Sequence, residues 1–357
     1  MLAAMASTLI IVYGGPSAEH EVSCVSALHV ARAVDPASFR VAVAGLARDR
    51  TWVDATRVFR SLGPDAERLP SPDTLEGRGD LGVLLEMAAR PDTVIFPLIH
   101  GTLGEDGALQ GVFETMGAAY VGASVAASAV CMEKHVTKAV LASAGVPQGD
   151  YRVVRSTDIG PRTVADLGAA LGFPCFVKPS GQGSSVGVSK ASSEDALAKA
   201  LNLALEFGDV AVVESSIEGS EIELAVLGNL DPECTGPGEV VPSQDFYDYE
   251  DKYELGTAEL HIPARLPDAV SEAARRIALR AYRALDLEGF ARVDLFVTSD
   301  GQCLVNEVNT IPGFTPISMY PKLWEHEGLA YSDLIARLVG LALERAEHRA
   351  GFRRTHR

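Results

Sequence analysis

The sequence predicts an α/β protein of more than one domain, with an N-terminal doubly wound parallel sheet and an α+β C-terminal part. Three observations predict it. The chain has 357 residues, and a length well above ~150 suggests two or three domains. Residues 9–13 and 93–99 are continuous apolar runs of the kind buried on both faces of a parallel sheet, and a helical pattern follows the first of them. Late in the chain, residues 290–309 alternate around Asp300-Gly301 and read as a β-hairpin.

That hairpin carries the most unusual chemistry. With Asp300 and Gly301 as the centre of a two-residue turn, Asp294 faces Glu307 and Arg292 faces Asn309. All four then share one face, because side chains alternate with period two. The other face would hold Val293, Leu295 and Val297 against Val308, Asn306 and Leu304. Two carboxylates directly opposite each other repel, unless a hard cation lies between them. An oxygen-only set suits Mg²⁺, which adds water and substrate phosphates. The alternative is a solvated outer face. A turn one residue longer would break the pairing.

Composition narrows the function classes. The 47% hydrophobic and 22% charged fractions are those of an ordinary globular protein. A formal net charge of -17 argues against a nucleic-acid or anionic-membrane surface. Five scattered cysteines without a Cys-x-x-Cys fit a reducing compartment, with Cys175 and Cys303 expected in the core. The N-terminus lacks a basic n-region and reads as a buried strand rather than a signal peptide. Residues 115–132 are too rich in Ala, Gly and Ser for a membrane span. A cytoplasmic protein is expected.

Taken in order, residues 8–47 read strand, loop, helix, strand, with Ser17 as the N-cap of a helix running to about Val34. A dinucleotide site with Asp35 on a ribose is a weak alternative, since Gly-x-Gly-x-x-Gly is absent. Residues 48–93 show only one helix, at 81–89. The strand at 93–99 delivers His100, Glu105 and Asp106 among glycines at its C-terminal end, where open α/β sheets bind ligands. Residues 126–148 look helical, with Lys134 and Lys138 one turn apart, and a boundary falls around 120–130. The strand carrying Lys178 leads into a loop containing Gly181, Gly183, Ser184, Ser185 and Gly187, and a return strand is expected through Val186 and Val188. Glycine lets backbone N–H groups approach an anion, although this is no Walker A loop. Glu214 and Glu221 flank a strand end that suits an adenine and its ribose. Residues 236–262 form a long aromatic loop of the kind used as a lid. An amphipathic helix at 269–285 precedes the hairpin, and a terminal helix spans 331–349.

Five stretches in order resemble the D-alanine–D-alanine ligase family of the ATP-grasp superfamily. They are Gly-Gly-Pro-Ser-Ala-Glu-His-Glu-Val-Ser (14–23), His-Gly-x-x-Gly-Glu-Asp-Gly (100–107), Val-Lys-Pro-Ser-x-x-Gly-Ser-Ser-Val-Gly (177–187), Phe-Tyr-Asp-Tyr-Glu-Asp-Lys-Tyr (246–253) and Asn-Glu-Val-Asn-Thr-Ile-Pro-Gly (306–313). The resemblance implies three domains: an N-terminal substrate domain (1–125), a central ATP-grasp subdomain (126–216), and a C-terminal domain (217–357) holding the lid (about 242–259) and the metal hairpin (290–309). ATP would lie between the last two.

The resemblance also implies roles. Lys134 and Lys178 would hold phosphates under the 181–187 loop with Ser184 and Ser185, and Lys252 would reach phosphate from the lid. Glu214 and Glu221 would take adenine and ribose. Asp294, Glu307 and Asn309 would bind two Mg²⁺ ions, for which Mn²⁺ can substitute. Glu19 would take the ammonium of the first D-alanine beside His100, and Ser318 and Met319 would face the carboxylate of the second. Glu105, Ser184 and Tyr253 would hydrogen-bond across three segments and close the lid. Arg292 and the Gly313 N–H would stabilise the oxyanion, so Arg292 is expected to aim at the reacting carbonyl rather than pair with the acids. The implied reaction is ATP-dependent ligation of two D-alanines through a D-alanyl phosphate, for peptidoglycan precursors, by a homodimer. Ligases making D-alanyl-D-lactate or D-alanyl-D-serine are the nearest alternatives; a silent ATP-binding module and a nicotinamide oxidoreductase are the others. The hinge Ser215-Ser216 departs from the basic and aromatic residues common there in the family.

Overall fold

A computed structural model describes residues 7–89, 92–241, 259–315 and 317–352. The first sheet is built from β1 (Ser7–Gly14), β2 (Phe39–Leu46), β3 (Trp52–Asp54), β4 (Thr93–Pro97) and β5 (Ala119–Tyr120), interleaved with α1 (His20–Ala33), α2 (Thr56–Ser61), α3 (Gly82–Ala88) and α4 (Ala108–Met116). Among the described residues its order is β3-β2-β1-β4-β5. β1 runs parallel to β2 and β4, which suits its apolar run: Leu9 to Tyr13 are fully buried between helices on both faces. The stretch after β2 holds more structure than its composition predicts, with β3, α2 and a 3-10 turn at Pro72–Thr74.

Next come α5 (Val125–Met132) and α6 (Lys134–Ser143), then β6 (Tyr151–Arg155), α7 (Thr163–Leu171), β7 (Cys175–Pro179), β8 (Ser189–Ala191), α8 (Glu194–Leu205) and β9 (Val210–Ser215). The helix expected at 126–148 is therefore two helices, broken at Glu133, whose φ of -88° and ψ of 93° are extended. The strands make an antiparallel sheet in the order β6-β9-β7-β8. The return strand begins at Ser189, later than expected, because Val186 and Val188 are held in turns by bonds to Gly183 O and Ser185 O.

The last sheet contains β10 (Gly219–Leu227), β11 (Glu233–Cys234), β12 (Gly238–Val241), β13 (Glu259–His261), β14 (Phe290–Thr298) and β15 (Cys303–Asn309), with α9 (Asp268–Ala284), α10 (Met319–His326) and α11 (Tyr331–Ala350). Its main order is β13-β12-β10-β14-β15. One face of this sheet packs on α9 and also on α5 and α6 through Ala127, Leu141, Ala278 and Tyr282. The ends of β10 and β14 share a core with the first sheet and α11, joined by Phe96, Phe290, Phe314 and Tyr320 with ring centroids 5.5–6.3 Å apart. Each such fully buried ring contributes roughly 1.5–3 kcal/mol. Arg345 of α11 secures this docking by donating to the carbonyls of Tyr120, at 2.6 Å, and Gly122. No described helix is long and apolar enough to cross a membrane.

The hairpin turn is one residue longer than expected. Thr298 N donates to Gln302 O at 3.0 Å and Gly301 N to Thr298 O at 2.9 Å, leaving Ser299, Asp300 and Gly301 as the loop, with Gly301 at φ +82°. That should have broken the Asp294–Glu307 pairing. A β-bulge restores it: Leu295 faces Val305 while Asp294 still faces Glu307, so Asn306 is the extra residue. Val305 and Cys303 take the buried positions opposite Leu295 and Val297 that Asn306 and Leu304 were expected to fill.

Candidate active site

The acid face of the hairpin is held by one arginine. Arg292 donates to both oxygens of Asp294, at 2.7 Å each, and its Nε lies 3.1 Å from Glu223 of β10, which pairs with Asp294 in the sheet. Asn309 Nδ2 adds a bond of 2.9 Å to Asp294 Oδ2. The expectation that Arg292 would not pair with the acids is corrected. It is nearly buried, and a buried guanidinium stays only where carboxylates compensate its desolvation. Burial opposes its charge, but Asp294 and Glu223 more than offset this and hold its pKa above the ordinary value.

Asp294, Glu307 and Asn309 offer hard oxygen atoms on one face, which fits a divalent cation. Among the described residues no cluster of three or more His, Cys, Asp or Glu could hold a metal alone. Such an ion would therefore take further ligands from phosphate or water, as Mg²⁺ does.

Across the cleft, the 181–187 loop is shaped by backbone rather than side chains. Ser184 (φ +48°) and Ser185 (φ +60°) both adopt the left-handed conformation, followed by Gly187 at φ +71°. Such φ values in non-glycine residues are strained and cluster at functional sites. Turn conformations of this kind present consecutive N–H groups to an anion. The loop is anchored to α6: Lys134 N donates to Ser180 O at 3.0 Å, Lys134 Nζ bonds to Gln182 O, and Ser180 Oγ donates to Glu133 at 2.6 Å.

Glu214 has a different setting from the adenine contact expected of it. Its two oxygens lie 2.5 Å from Lys138 Nζ and 2.5 Å from Lys178 Nζ, in a site where all three side chains are nearly buried. Burial would raise the Glu214 carboxyl, but Lys178 and Lys138 outweigh it and hold its pKa at about 2. Lys178 also reaches the bulged Asn306, Nζ to Oδ1 at 3.1 Å.

The loop, Lys134, Lys138, Lys178, Glu214 and Glu221 line a cavity of about 460 Å³. Its apolar wall includes Phe176, Val188, Ile217, Phe296 and Val305, beside the hinge pair Ser215 and Ser216. These residues supply apolar surface where the hinge lacks an aromatic. Sequence reasoning missed Phe176 and Phe296, although the signal was present. Phe176 is two residues before Lys178 and Phe296 two after Asp294, so period two puts each on its neighbour's face. Lys138 and Asn306 were also missed as site residues.

A second cavity, of about 400 Å³, is lined by Glu19, His100, Glu105, Arg292, Gly313, Ser318, Met319 and Lys322, among others. Glu19, rather than Ser17, occupies the N-cap of α1; the Ser17 hydroxyl instead donates to His100 O at 2.7 Å. His100 is buried, with Nδ1 3.0 Å from Ile311 O, and burial lowers its pKa, so the neutral ring prevails near pH 7. Burial, with Glu19 close by, pushes the Glu105 carboxyl up to about 8. Glu105 accepts from Gly101 N at 2.6 Å and Ile311 N at 3.0 Å, not from Ser184 as expected, so it ties the 100–107 loop to the segment after the hairpin. Tyr253 and Lys252 lie outside the described residues.

Ser318 Oγ accepts from Thr315 N at 3.0 Å and stands so close to Gly313 that a Cβ there would meet it at 2.7 Å. The Met319 side chain is buried against Gly238, so at this residue the backbone in the first turn of α10, rather than the side chain, is placed to face a carboxylate. The two cavities meet: Gly183, Ser184 and Glu307 line both.

Comparison with known proteins agrees with this geometry. Residues 8–123 match the family model of the D-ala D-ala ligase N-terminus, and residues 140–340 that of its C-terminus. A D-alanine–D-alanine ligase of Ruminiclostridium cellulolyticum is 44% identical over 358 residues, spanning 94% of this chain and 95% of its own. The solved D-alanine-D-alanine ligase of Coxiella burnetii superposes with a TM-score of 0.80 at 34% identity, covering 96% of this chain and 97% of its own. The VanG D-Ala:D-Ser ligase of Enterococcus faecalis also gives 0.80, at 31% identity, over 95% and 100%. The chain belongs to the D-alanine–D-alanine ligase family.

Proposed function

We propose that this ATP-dependent ligase joins two D-alanines into D-alanyl-D-alanine for peptidoglycan precursors, with ATP in the larger cavity and both amino acids in the smaller. The observation that carries the assignment is the meeting of the two cavities at Gly183, Ser184 and Glu307. That junction suits transfer of a phosphoryl group from a nucleotide on one side to a carboxylate on the other. Phosphoryl transfer asks the protein mainly to position reactants and neutralise charge.

Phe176, Ile217 and Phe296 would sandwich the adenine, and Glu221 would take the ribose. Lys134, Lys178 and the backbone of Ser184, Ser185 and Gly187 would hold the phosphates. Glu214 would act on the nucleotide through its two lysines. Asp294, Glu307 and Asn309 would hold divalent cations, with Mg²⁺ the expected species and Mn²⁺ a substitute; when bound, they neutralise phosphate charge. Glu19 would take the first ammonium, beside neutral His100. Ser318 and the first turn of α10 would take the second carboxylate. The first carboxylate attacks the γ-phosphoryl group, giving an acyl phosphate and ADP. The second amine then displaces phosphate, and the oxyanion of that step would lie between Arg292 and the Gly313 N–H. The lid at 242–259, with Lys252 and Tyr253, would exclude water from the acyl phosphate. The family resemblance supports a homodimer, and five free cysteines suit a reducing cytoplasm.

The likeness to a D-Ala:D-Ser ligase, at the same TM-score but lower identity, supports D-serine at the second position as the second reading. Phosphate release from ATP with D-alanine alone, and with D-alanine plus D-serine or D-lactate, tests both when products are identified by mass. D-alanyl-D-alanine should dominate at equal concentrations; a mixed product in excess overturns the assignment.

A further inference from the structure

We propose that Asn306 is a positioning residue for the nucleotide. Alternation from the turn, with Cys303 and Val305 on the core side, turns this side chain to the cleft face with Leu304, and the bulge beside it brings Glu307 to that same face. On that face Asn306 lines the nucleotide cavity, and its Oδ1 accepts from Lys178 Nζ at 3.1 Å. A polar string thus crosses the cleft from α6 to the hairpin: Lys138, Glu214, Lys178, Asn306.

The chemistry favours this acceptor. A lysine ammonium has three protons to donate. Glu214 and Asn306 take two, leaving one aimed into the cavity. Glu214 alone would leave the ammonium free to swivel about a single anchor. A neutral amide fixes the second direction without placing another negative charge beside Glu307 and the phosphates. Because Lys178 belongs to the central sheet and Asn306 to the last one, their bond also sets the width of the cleft between the glycine-serine loop and Glu307. The inference rests on the proposed phosphate role of Lys178.

The test is a double-mutant cycle on ADP affinity, measured by calorimetry on the full chain with Asn306→Ala, Lys178→Met and both together. A hydrogen bond to a charged group predicts that Asn306→Ala weakens ADP about tenfold in the parent. In the Lys178→Met background the same change should be silent, because the residue it acts through is gone. The loss should persist in EDTA, since it does not pass through a metal. Additive effects would overturn the proposal while leaving the phosphate reading intact. An unchanged ADP affinity in Lys178→Met would overturn both. Asn306→Ser, whose hydroxyl is too short to reach Lys178, is read in the same cycle if the alanine variant does not fold.

Discussion

The glycine-serine loop and the acidic hairpin face each other across the same cleft, yet they are made in opposite ways. The loop presents backbone, shaped by positive φ at Ser184, Ser185 and Gly187. The hairpin presents side chains fixed by strand register and, for Arg292 and Asp294, by a buried ion pair that Glu223 shares. The loop should therefore be sensitive to backbone conformation and tolerant of side-chain change. The hairpin should fail when a single charge is removed. Lys178 belongs to neither class, since it leaves the loop's own sheet and ends on the hairpin's bulge.

The hairpin side of the contrast predicts the largest effect. Glu307→Ala should lower ADP release with D-alanine and Mg²⁺ by a factor on the order of 10³ or more, the scale of losing one electrostatic stabiliser. Near-normal turnover in a coupled ADP assay would remove the metal reading.

Glu214→Gln should cost roughly 3–5 kcal/mol of stability, as expected when one partner of a buried ion pair is lost. Its pH dependence has a definite sign. The folded carboxyl titrates at about 2, below the unfolded value, so its contribution is complete above the unfolded pKa and is lost as pH falls towards 2. Denaturant midpoints of parent and variant should therefore converge between about pH 4.5 and acid. A gap that stays constant over that range would show that Glu214 does not act as a charge.

On the loop side the effects should be smaller and conformational. Gly187→Ala forces a side chain into φ +71°, with its Cβ 2.7 Å from Phe207 and 2.8 Å from Pro179. A left-handed penalty of about 1–2 kcal/mol predicts roughly a tenfold rise in KM for ATP. Ser185→Gly removes a hydroxyl but relieves the same kind of strain, so KM should move by less than about threefold. If the serine change proves the worse of the two, the loop works through its side chains and the contrast with the hairpin collapses.

Much of this was legible in the chain. The buried parallel strands, the facing Asp294 and Glu307, the glycine-serine loop, and His100 and Glu105 beyond a strand's C-terminal end all follow from local pattern and side-chain chemistry, while Glu19 in the same cavity followed from the family resemblance. The hairpin shows where local pattern stops. Its turn is one residue longer than Asp300-Gly301 suggests, and the bulge at Asn306 cancels the error, so the predicted pairing holds for a reason the sequence did not supply. Two offsetting shifts leave alternation at the ends of a hairpin unchanged.

Alternation, turn residues and the types of group available are properties of neighbouring residues, so the sequence by itself determined the element types and the chemistry of the site. Only the tertiary structure decided who meets whom. Glu214 was assigned to adenine from its place on a strand end, but it lies between Lys138 and Lys178 because α6 packs behind β9. Glu105 bonds to Ile311 N rather than Ser184 because the segment after β15 lies beneath its loop. The terminal helix α11 joins the first sheet's core through Leu334, Leu338 and Val339, more than two hundred residues away in the chain. The desolvation that makes each of these partners necessary arises only when distant segments close on one another, and no local stretch encodes it.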